Sequence, residues 1–227
     1  MSKTGDKIGG KRGKSVRVKT AKGRKKSSTQ WLQRQLNDPF VRQAKDDGYR
    51  SRAAFKLTGV HDEFKIFDKS ISYVVDLGAA PGSWTQVAAR LTKNNAKIIG
   101  IDLQEIEPLE GAEFIVGDFE SEKAFAQLEA KMQGKADVVM SDMAAASCGH
   151  EQTDHIRIIH LCELALDFAI EWLKPGGSFV AKTLQGGGEQ ELVRKMRLHF
   201  KTVKHFKPAA SRQDSAEMFV VAMDFKG

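Results

Sequence analysis

The sequence predicts an α/β fold in which helices cover both faces of a doubly wound, seven-stranded, mostly parallel sheet. From residue 72 onward, short runs rich in β-branched residues alternate with longer amphipathic stretches, which is the pattern of repeated strand–helix units. Several of these runs are continuously apolar, as expected for parallel strands that are covered by helices on both sides. Together the two observations favour a parallel sheet over a β-sandwich.

The predicted elements follow one another without an internal repeat. The candidate strands are residues 73–77, 97–102, 113–118, 137–142, 177–183, 201–206 and 217–225. The candidate helices among them are residues 83–93, 121–133, 151–173 and 187–199. The loop 207–216 is too short for a crossover helix, so the last two strands are predicted to pair antiparallel. Seven strands with the last one reversed are typical of Rossmann-like class I methyltransferases.

A basic tail precedes the predicted domain. Residues 1–26 hold eleven Lys or Arg against one Asp, a net +10 in a chain of net charge +7, so the remainder carries −3. Because the tail, 1–28, has almost no apolar residues, it is predicted to be disordered. It is either a solubilising leader or an arm that binds RNA phosphates. Residues 29–227 are predicted to form a single domain, with its core at 70–227.

The segment 29–66 is predicted to be helical and to face RNA. Apolar spacing indicates one or two short helices over 29–46, with a break at Pro39, and another helix from near Ser51 to residue 64. The last of these places three cations among Ala and Phe, which makes them candidate RNA-binding residues. They are Arg50, Arg52 and Lys56.

Composition excludes several classes of protein. No stretch has the roughly 18 consecutive apolar residues of a membrane span, and the N-terminus lacks the apolar segment of a secretory signal, so we expect a cytoplasmic protein without membrane contact. Cys148 and Cys162 are expected to be reduced thiols. His150, His155 and His160 recur every five residues, which on a helix rotates each side chain by about 140° from the last. No metal site is therefore predicted.

Acidic residues mark the candidate cofactor site. In an open parallel sheet, ligands bind beyond the carboxyl ends of the strands, and four such ends carry Asp76, Asp102, Asp118 and Asp142. Each alone is better explained by a helix-capping or loop role, but four at successive strand ends favour a ligand with positive charge. Asp102 is placed to accept the hydroxyls of an adenosine ribose, and Asp118 the adenine amino group.

The turn after the first strand, residues 78–84 (GAAPGSW), also indicates a cofactor. Its small residues let the backbone approach a ligand, but it is not a GxGxxG motif. Pro81 removes an N–H donor where a dinucleotide fold presents amides to pyrophosphate, which disfavours a nucleotide-dependent oxidoreductase. A cationic cofactor without phosphate fits better. Trp84 is either a core aromatic residue or a wall of the cofactor site.

The segment after the fourth strand argues against two methylation chemistries. Residues 141–146 (SDMAAA) lack the prolines and the aromatic residue with which amino-methylating enzymes hold a planar amine. Cys148 has no activating cation near it in sequence, so it is not expected to be the nucleophile of pyrimidine C5 methylation. Lys182, in an otherwise apolar strand, is either a snorkelling edge lysine or a functional one.

Seven ordered blocks over residues 28–227 resemble the FtsJ-like ribosomal RNA 2′-O-methyltransferases. They are SRAAFKL at 51–57, DLGAAPGSW at 76–84, GIDL at 100–103, GDF at 117–119, SDMA at 141–144, LKPGGSFVAKTLQG at 173–186 and SRQDSAEMF at 211–219. The sequence departs from the family pattern at Ala145, where Pro is usual, and at Ser83, where Gly is usual.

The resemblance implies a catalytic tetrad and a cofactor. The tetrad falls on Lys56, Asp142, Lys182 and Glu217. The cofactor, S-adenosyl-L-methionine, is implied to bind at Gly82, Trp84, Asp102, Asp118 and Asp142.

The implied reaction is methylation of a uridine ribose 2′-hydroxyl in 23S rRNA of the large ribosomal subunit. Lys182, neutral when the substrate is bound, is our candidate base for the hydroxyl proton. The protein is expected to act as a monomer. A tRNA-methylating enzyme and a non-catalytic RNA-binding assembly factor of the same fold are the alternatives.

Overall fold

The computed structural model describes residues 16–18, 23, 26–68, 70–146, 148–186 and 189–227. Most of the tail 1–28, with its predicted disorder, lies outside these residues. The first helix begins before the predicted domain start at residue 29, since α1 covers Lys26–Asn37.

Two further helices complete the N-terminal segment. They are α2, Pro39–Asp46, and α3, Ala54–Phe64. Pro39 is the first residue of α2, because its fixed φ and missing N–H suit the start of a helix, and the Asp38 side chain accepts from the Phe40 amide at 3.0 Å. The third helix starts later than Ser51, whose hydroxyl instead accepts from the Ala53 amide.

The α/β part contains four helices and seven strands. In chain order they are β1 (Tyr73–Leu77), α4 (Ser83–Leu91), β2 (Lys97–Asp102), β3 (Ala112–Val116), α5 (Glu122–Lys131), β4 (Ala136–Ser141), α6 (Glu151–Trp172), β5 (Leu173–Leu184), α7 (Glu189–His199), β6 (Phe200–Phe206) and β7 (Glu217–Phe225). Each predicted strand and helix of this part is present.

The strands form one sheet in the order β3-β2-β1-β4-β5-β7-β6. Pairing is parallel from β3 through β5, whereas β7 is antiparallel to both of its neighbours, β5 and β6. The predicted fold class is therefore confirmed, including the reversed last strand.

The fifth strand is longer than predicted. Leu173 pairs with Ala136, and the register then shifts so that Ser178 pairs with Val138. The irregular stretch of strand between these two pairs contains Gly176, whose φ of 82° is unfavourable for other residues. The predicted strand began at residue 177, so the part of β5 before this irregularity was missed.

Helices cover both faces of the sheet, as predicted. Val75 and Leu77 of β1 point into a core shared with α5, α6 and α7, while Val74 points into a second core shared with α3 and α4. Because β1, β2, β4 and β5 run parallel, their carboxyl ends lie at one edge of the sheet, where the candidate site residues collect.

None of the described helices has the length and apolar character needed to cross a membrane.

Candidate active site

An open cavity of about 580 Å³ lies beyond the carboxyl ends of β1, β2 and β4. Its volume is in the usual range for a small-molecule site. Three of the four strand-end aspartates line it, namely Asp102, Asp118 and Asp142, whereas Asp76 is fully buried next to it. The predicted position of the cofactor site therefore coincides with a real cavity.

The carboxylates of Asp102 and Asp118 also hold the loops that surround the cavity. Asp102 accepts from the Ala80 amide through Oδ2 and from the Gln104 amide through Oδ1, both at 2.9 Å. Asp118 Oδ1 accepts from the Glu120 amide at 3.0 Å. Since a carboxylate oxygen has two lone pairs, these bonds leave acceptor capacity for a ligand. The loop role and the ligand role are compatible.

Sequence reasoning missed the apolar walls of the cavity. Leu103, Phe119 and Met143 line it, and each directly follows one of the three lining aspartates. The signal was present as an Asp-apolar pair at successive strand ends. An apolar wall beside each carboxylate suits a ligand that has both a flat ring and polar groups.

Two glycines of the turn after β1 are required by its geometry. Gly78 has φ of 75°, and a Cβ there would lie 2.8 Å from the Cα of Met143. Gly82, with φ of 94°, precedes α4, and a Cβ there would collide with the guanidinium of Arg50. Larger side chains would push Met143 and Arg50 away from the turn.

Arg50 and Arg52 are bound by the protein itself. Arg50 donates to the backbone oxygens of Pro81 at 3.0 Å and Pro108 at 2.9 Å. Arg52 forms an ion pair with Asp38 at 2.9 Å and donates to the backbone oxygen of Ala210. These contacts brace the turn and the loop before β7. They give no support to the interpretation of the two arginines as RNA-binding residues, which stays a prediction.

The side chain of Trp84 lies in the core. It is 3% exposed, its indole N–H donates to the backbone oxygen of Ala53 at 3.0 Å, and its ring lies 5.5 Å from that of Phe219. The indole is absent from the cavity wall. The sequence left two roles open for Trp84, a core residue or a wall of the cofactor site. The structure places its side chain in the core, so only its backbone remains available at the turn.

The four tetrad residues come together as two ion pairs. Nζ of Lys182 lies 2.9 Å from Oδ1 of Asp142 and donates to the backbone oxygen of Asp142 at 2.6 Å. Nζ of Lys56 lies 2.6 Å from Oε2 of Glu217. All four side chains are between 10% and 18% exposed, so both pairs are largely shielded from water.

The pairing of β5 with β7 brings the two ion pairs to one place. Lys182 is the register partner of Phe219, and Leu184 is the partner of Glu217. Nζ of Lys56 lies 5.7 Å from the centre of the Phe219 ring. Because Asp142 also lines the cavity, the tetrad adjoins the predicted cofactor site.

Ser211 is a member of this site that sequence reasoning did not single out. Its buried hydroxyl donates to Oε1 of Glu217 at 2.8 Å, so both carboxylate oxygens of Glu217 have partners, Ser211 and Lys56. The residue lies in the SRQDSAEMF block, but nothing in its spacing indicates a contact with the glutamate six positions later.

Asp76 is a buried acid below the turn. Its Oδ2 accepts from the Thr85 hydroxyl at 2.7 Å, and its Oδ1 has no hydrogen-bond partner among the described residues. Burial, opposed by the Thr85 hydrogen bond and assisted by repulsion from Asp142 and Asp102, raises the pKa of Asp76 to about 7. A cation in the cavity would favour its ionised form.

No metal cluster is found in the described part of the chain. His160 instead pairs with Glu120 at 3.1 Å beside the cavity. Cys148 is exposed and Cys162 is buried, and both are free thiols. Burial raises the pKa of the Cys162 thiol, which makes it unreactive.

A sheet of this strand order, with its cavity at the carboxyl ends of the central strands, defines a Rossmann-like methyltransferase. Residues 49–225 match the model of a family described as FtsJ-like methyltransferase. The chain belongs to this FtsJ-like methyltransferase family, as its sequence blocks indicated.

Relatives of known name agree with this assignment. A protein of Parvibaculum lavamentivorans named ribosomal RNA large subunit methyltransferase E is 54% identical over 229 residues, which cover 96% of this chain and 90% of the relative. One of the same name from Rickettsia akari is 52% identical, with coverage of 96% and 98%. The crystal structure of a ribosomal RNA methyltransferase from Plasmodium falciparum is 29% identical, with a TM-score of 0.69, and the match covers 79% of this chain and all of that one.

Proposed function

We propose that this protein transfers a methyl group from S-adenosylmethionine to the 2′-hydroxyl of a uridine ribose in 23S rRNA of the large ribosomal subunit. The observation that carries the proposal is the Lys182–Asp142 ion pair. Both residues belong to the tetrad, which is largely shielded from water, and Asp142 also lines the cavity. The names of the relatives support large-subunit rRNA as the substrate. Monomeric action stays an expectation.

The cavity fits S-adenosylmethionine in size and chemistry. Asp102 would accept the ribose hydroxyls and Asp118 the adenine amino group, while Leu103 and Phe119 would flank the adenine ring. Asp142 would face the sulfonium end. When bound, the cofactor supplies an electrophilic methyl group.

The glycine turn would hold the amino-acid end of the cofactor with backbone groups. Gly82 and Trp84 flank the start of α4, whose first N–H groups have no partner within the helix. Donors of this kind suit a carboxylate. The contribution of Trp84 in this arrangement is its amide rather than its ring.

The tetrad supplies the proton chemistry of the acceptor. A ribose hydroxyl is a weak nucleophile, so its proton must leave as its oxygen bonds to the methyl carbon, whose bond to sulfur would break with S-adenosylhomocysteine as the leaving thioether. The amine of Lys182 accepts that proton, and the resulting ammonium is stabilised by Oδ1 and the backbone oxygen of Asp142. The Lys56–Glu217 ion pair lies next to the Lys182–Asp142 pair and maintains the conformation of the part of the site that receives the ribose.

Labelled cofactor tests the proposal directly. Purified protein is given methyl-labelled S-adenosylmethionine and, in parallel, large subunits from cells that lack the protein, protein-free rRNA, and tRNA. We expect label mainly in the subunits, in a ribose that resists alkaline cleavage at the modified position. Label in a base, label in tRNA alone, or no label in any RNA would contradict the proposal.

A further inference from the structure

Residues 47–53, which lead into α3, are bound to the side of α4. Oε1 of Gln86 accepts from the Arg50 amide at 2.8 Å, and the guanidinium of Arg90 donates to the backbone oxygen of Asp47 at 3.1 Å. We call residues 47–53 the connecting segment. Because α4 begins directly after the glycine turn, these contacts fix the connecting segment relative to that turn.

A pair of hydroxyls joins the connecting segment to the first residue of α4. Oγ of Ser51 lies 2.8 Å from Oγ of Ser83, and Oγ of Ser51 also accepts from the Ala53 amide at 3.2 Å. Ser83 is 1% exposed, so a lost partner leaves its hydroxyl unsatisfied in the interior. The start of α4 is thereby tied to the residues just before α3.

The indole of Trp84 binds the same segment at its last residue. Its Nε1–H donates to the backbone oxygen of Ala53 at 3.0 Å, and that oxygen also accepts from the Lys56 amide at 3.0 Å. A carbonyl oxygen has two lone pairs, so it can accept both bonds. One carbonyl thus connects the second residue of α4 with the backbone of the tetrad lysine.

The ring of Phe219 connects the same two residues through their side chains. Its centre lies 5.5 Å from that of the Trp84 ring and 5.7 Å from Nζ of Lys56. Phe219 is fully buried in β7, so both partners pack against a ring that has little room to move. Trp84 therefore reaches Lys56 by two routes, the Ala53 carbonyl and the Phe219 ring.

We propose that Ser83 and Trp84 are positioning residues for Lys56. Through Ser51, Ala53 and Phe219 they hold the start of α3, and with it the tetrad lysine, at a fixed distance from the glycine turn. The inference rests on the proposed function, in which the turn holds the cofactor and Lys56 belongs to the acceptor side. In that function the contacts set the separation of methyl donor and acceptor, on which transfer depends.

Two substitutions each remove one hydrogen bond and have a matched control. Ser83→Ala removes the hydroxyl pair, and Thr92→Ala removes an equally buried hydroxyl that bonds only to carbonyls of α4 itself. Trp84→Phe removes the indole N–H that holds Ala53, and Trp172→Phe removes one that has no hydrogen-bond partner among the described residues.

The first measurement needs no methyl transfer. The folded protein is pulse-labelled with acetic anhydride, and acetylation of each lysine is followed by mass spectrometry. Lys56 should react about two- to tenfold faster in Ser83→Ala and in Trp84→Phe than in wild type, the factor expected for loss of one hydrogen bond. Lys182, which is similarly shielded, should keep its wild-type rate. Both controls should match the wild type.

The second measurement asks whether the effect on the reaction passes through Lys56. Ser83→Ala and Trp84→Phe should each lower kcat for methyl transfer by about two- to tenfold and leave KM for S-adenosylmethionine within about twofold. In a Lys56→Met background, followed by single-turnover kinetics, neither substitution should lower the rate further. Effects of residues that act through one group are not additive.

The inference is overturned if Lys56 keeps its wild-type reactivity in either variant, or if the losses in rate add fully to that of Lys56→Met. Equal acceleration of Lys182 would indicate a loosened fold and would also overturn it. If the wild type methylates no RNA while Lys56 alone becomes more reactive in the two variants, the proposed function fails and the positioning role stands.

Discussion

Nζ of Lys182 lies 2.9 Å from a carboxylate oxygen of Asp142, and the same aspartate lines the cavity. In the proposed mechanism, Asp142 therefore belongs both to the part of the site that faces the cofactor and to the part that receives the proton. Substitution of Lys182 should leave cofactor binding intact and abolish acceptance of the proton.

Lys182→Met should reduce kcat for methyl transfer by about 10²- to 10⁴-fold, since it removes the candidate base. S-adenosylmethionine affinity, measured by calorimetry, should stay within about threefold of wild type because the cavity wall is unchanged.

The control for this substitution is Lys174→Met. Lys174 forms a similar pair with Asp137, at 2.8 Å, at the opposite end of the same strand. Its loss should leave kcat near the wild-type value. Near-normal turnover of Lys182→Met would show that the base lies elsewhere.

Asp102→Asn should weaken S-adenosylmethionine binding by about 10- to 100-fold. The amide has a single acceptor oxygen, whereas the carboxylate accepts from Ala80 and Gln104 with different oxygens and faces the cavity as well. Loss of a charged hydrogen-bond acceptor costs about 1.5 to 3 kcal/mol.

Calorimetric titration with the cofactor measures the effect of Asp102→Asn. Asp68→Asn serves as control, because Asp68 likewise accepts from a backbone amide two residues later, that of Ser70, but lies far from the cavity wall. Equal affinities for the two variants would exclude Asp102 from cofactor binding.

Asp76 should make the protein without cofactor less stable as the pH rises from about 4 to 7. The folded state, with the pKa of Asp76 raised from 3.8 to about 7 by burial, keeps a proton that the unfolded state has lost in this window. Asp76→Asn has no proton to lose. Its free energy of unfolding should therefore rise relative to wild type by up to about 4 kcal/mol across the window and level off above pH 7.

Urea unfolding at pH 5, 6, 7 and 8 measures this difference. Asp137 serves as the control, because its pKa is shifted in the opposite direction. Burial alone would raise that pKa, but the hydrogen bonds from Lys174, Ser72 and Tyr73 together outweigh burial and lower it. Stability from Asp137 is lost only as the pH falls through that lowered value, so the deficit of Asp137→Asn should be flat from pH 5 to 8. An equally flat difference for Asp76→Asn would disprove the prediction.

Ser211→Ala should lower kcat by about five- to tenfold and leave cofactor affinity unchanged, because it frees one oxygen of Glu217 from its hydrogen bond. Ser211→Thr, which retains a hydroxyl, should recover much of the activity. In Ser215→Ala the lost hydroxyl contacts only the Glu217 amide, so kcat should change less. Identical losses in the Ser211 and Ser215 alanine variants would indicate a loop effect rather than positioning of the carboxylate.

The sheet was predictable because its signals are local. Strands at 73–77, 97–102 and 217–225 match to the residue, since each is an apolar run bounded by polar or small residues. The start of β5 was not predictable, because Leu173 joins the sheet by pairing with Ala136 on the far side of a register shift.

The site was only partly predictable. Strand-end aspartates located the cavity, but the tetrad required the family resemblance, because Lys56 and Glu217 are 161 positions apart. Composition also cannot distinguish an arginine that binds RNA from one that stabilises a loop. Arg50 and Arg52 look alike in sequence, yet their partners are carbonyls 58 and 158 positions away.

Glu217, the counter-ion of Lys56, lies on β7, which is the last strand of the described fold in chain order. All the residues that line the cavity precede β5 in the chain, so they are synthesised before Glu217. Only insertion of this final strand gives Lys56 its counter-ion. The tetrad is therefore completed by a later part of the chain than the cavity is.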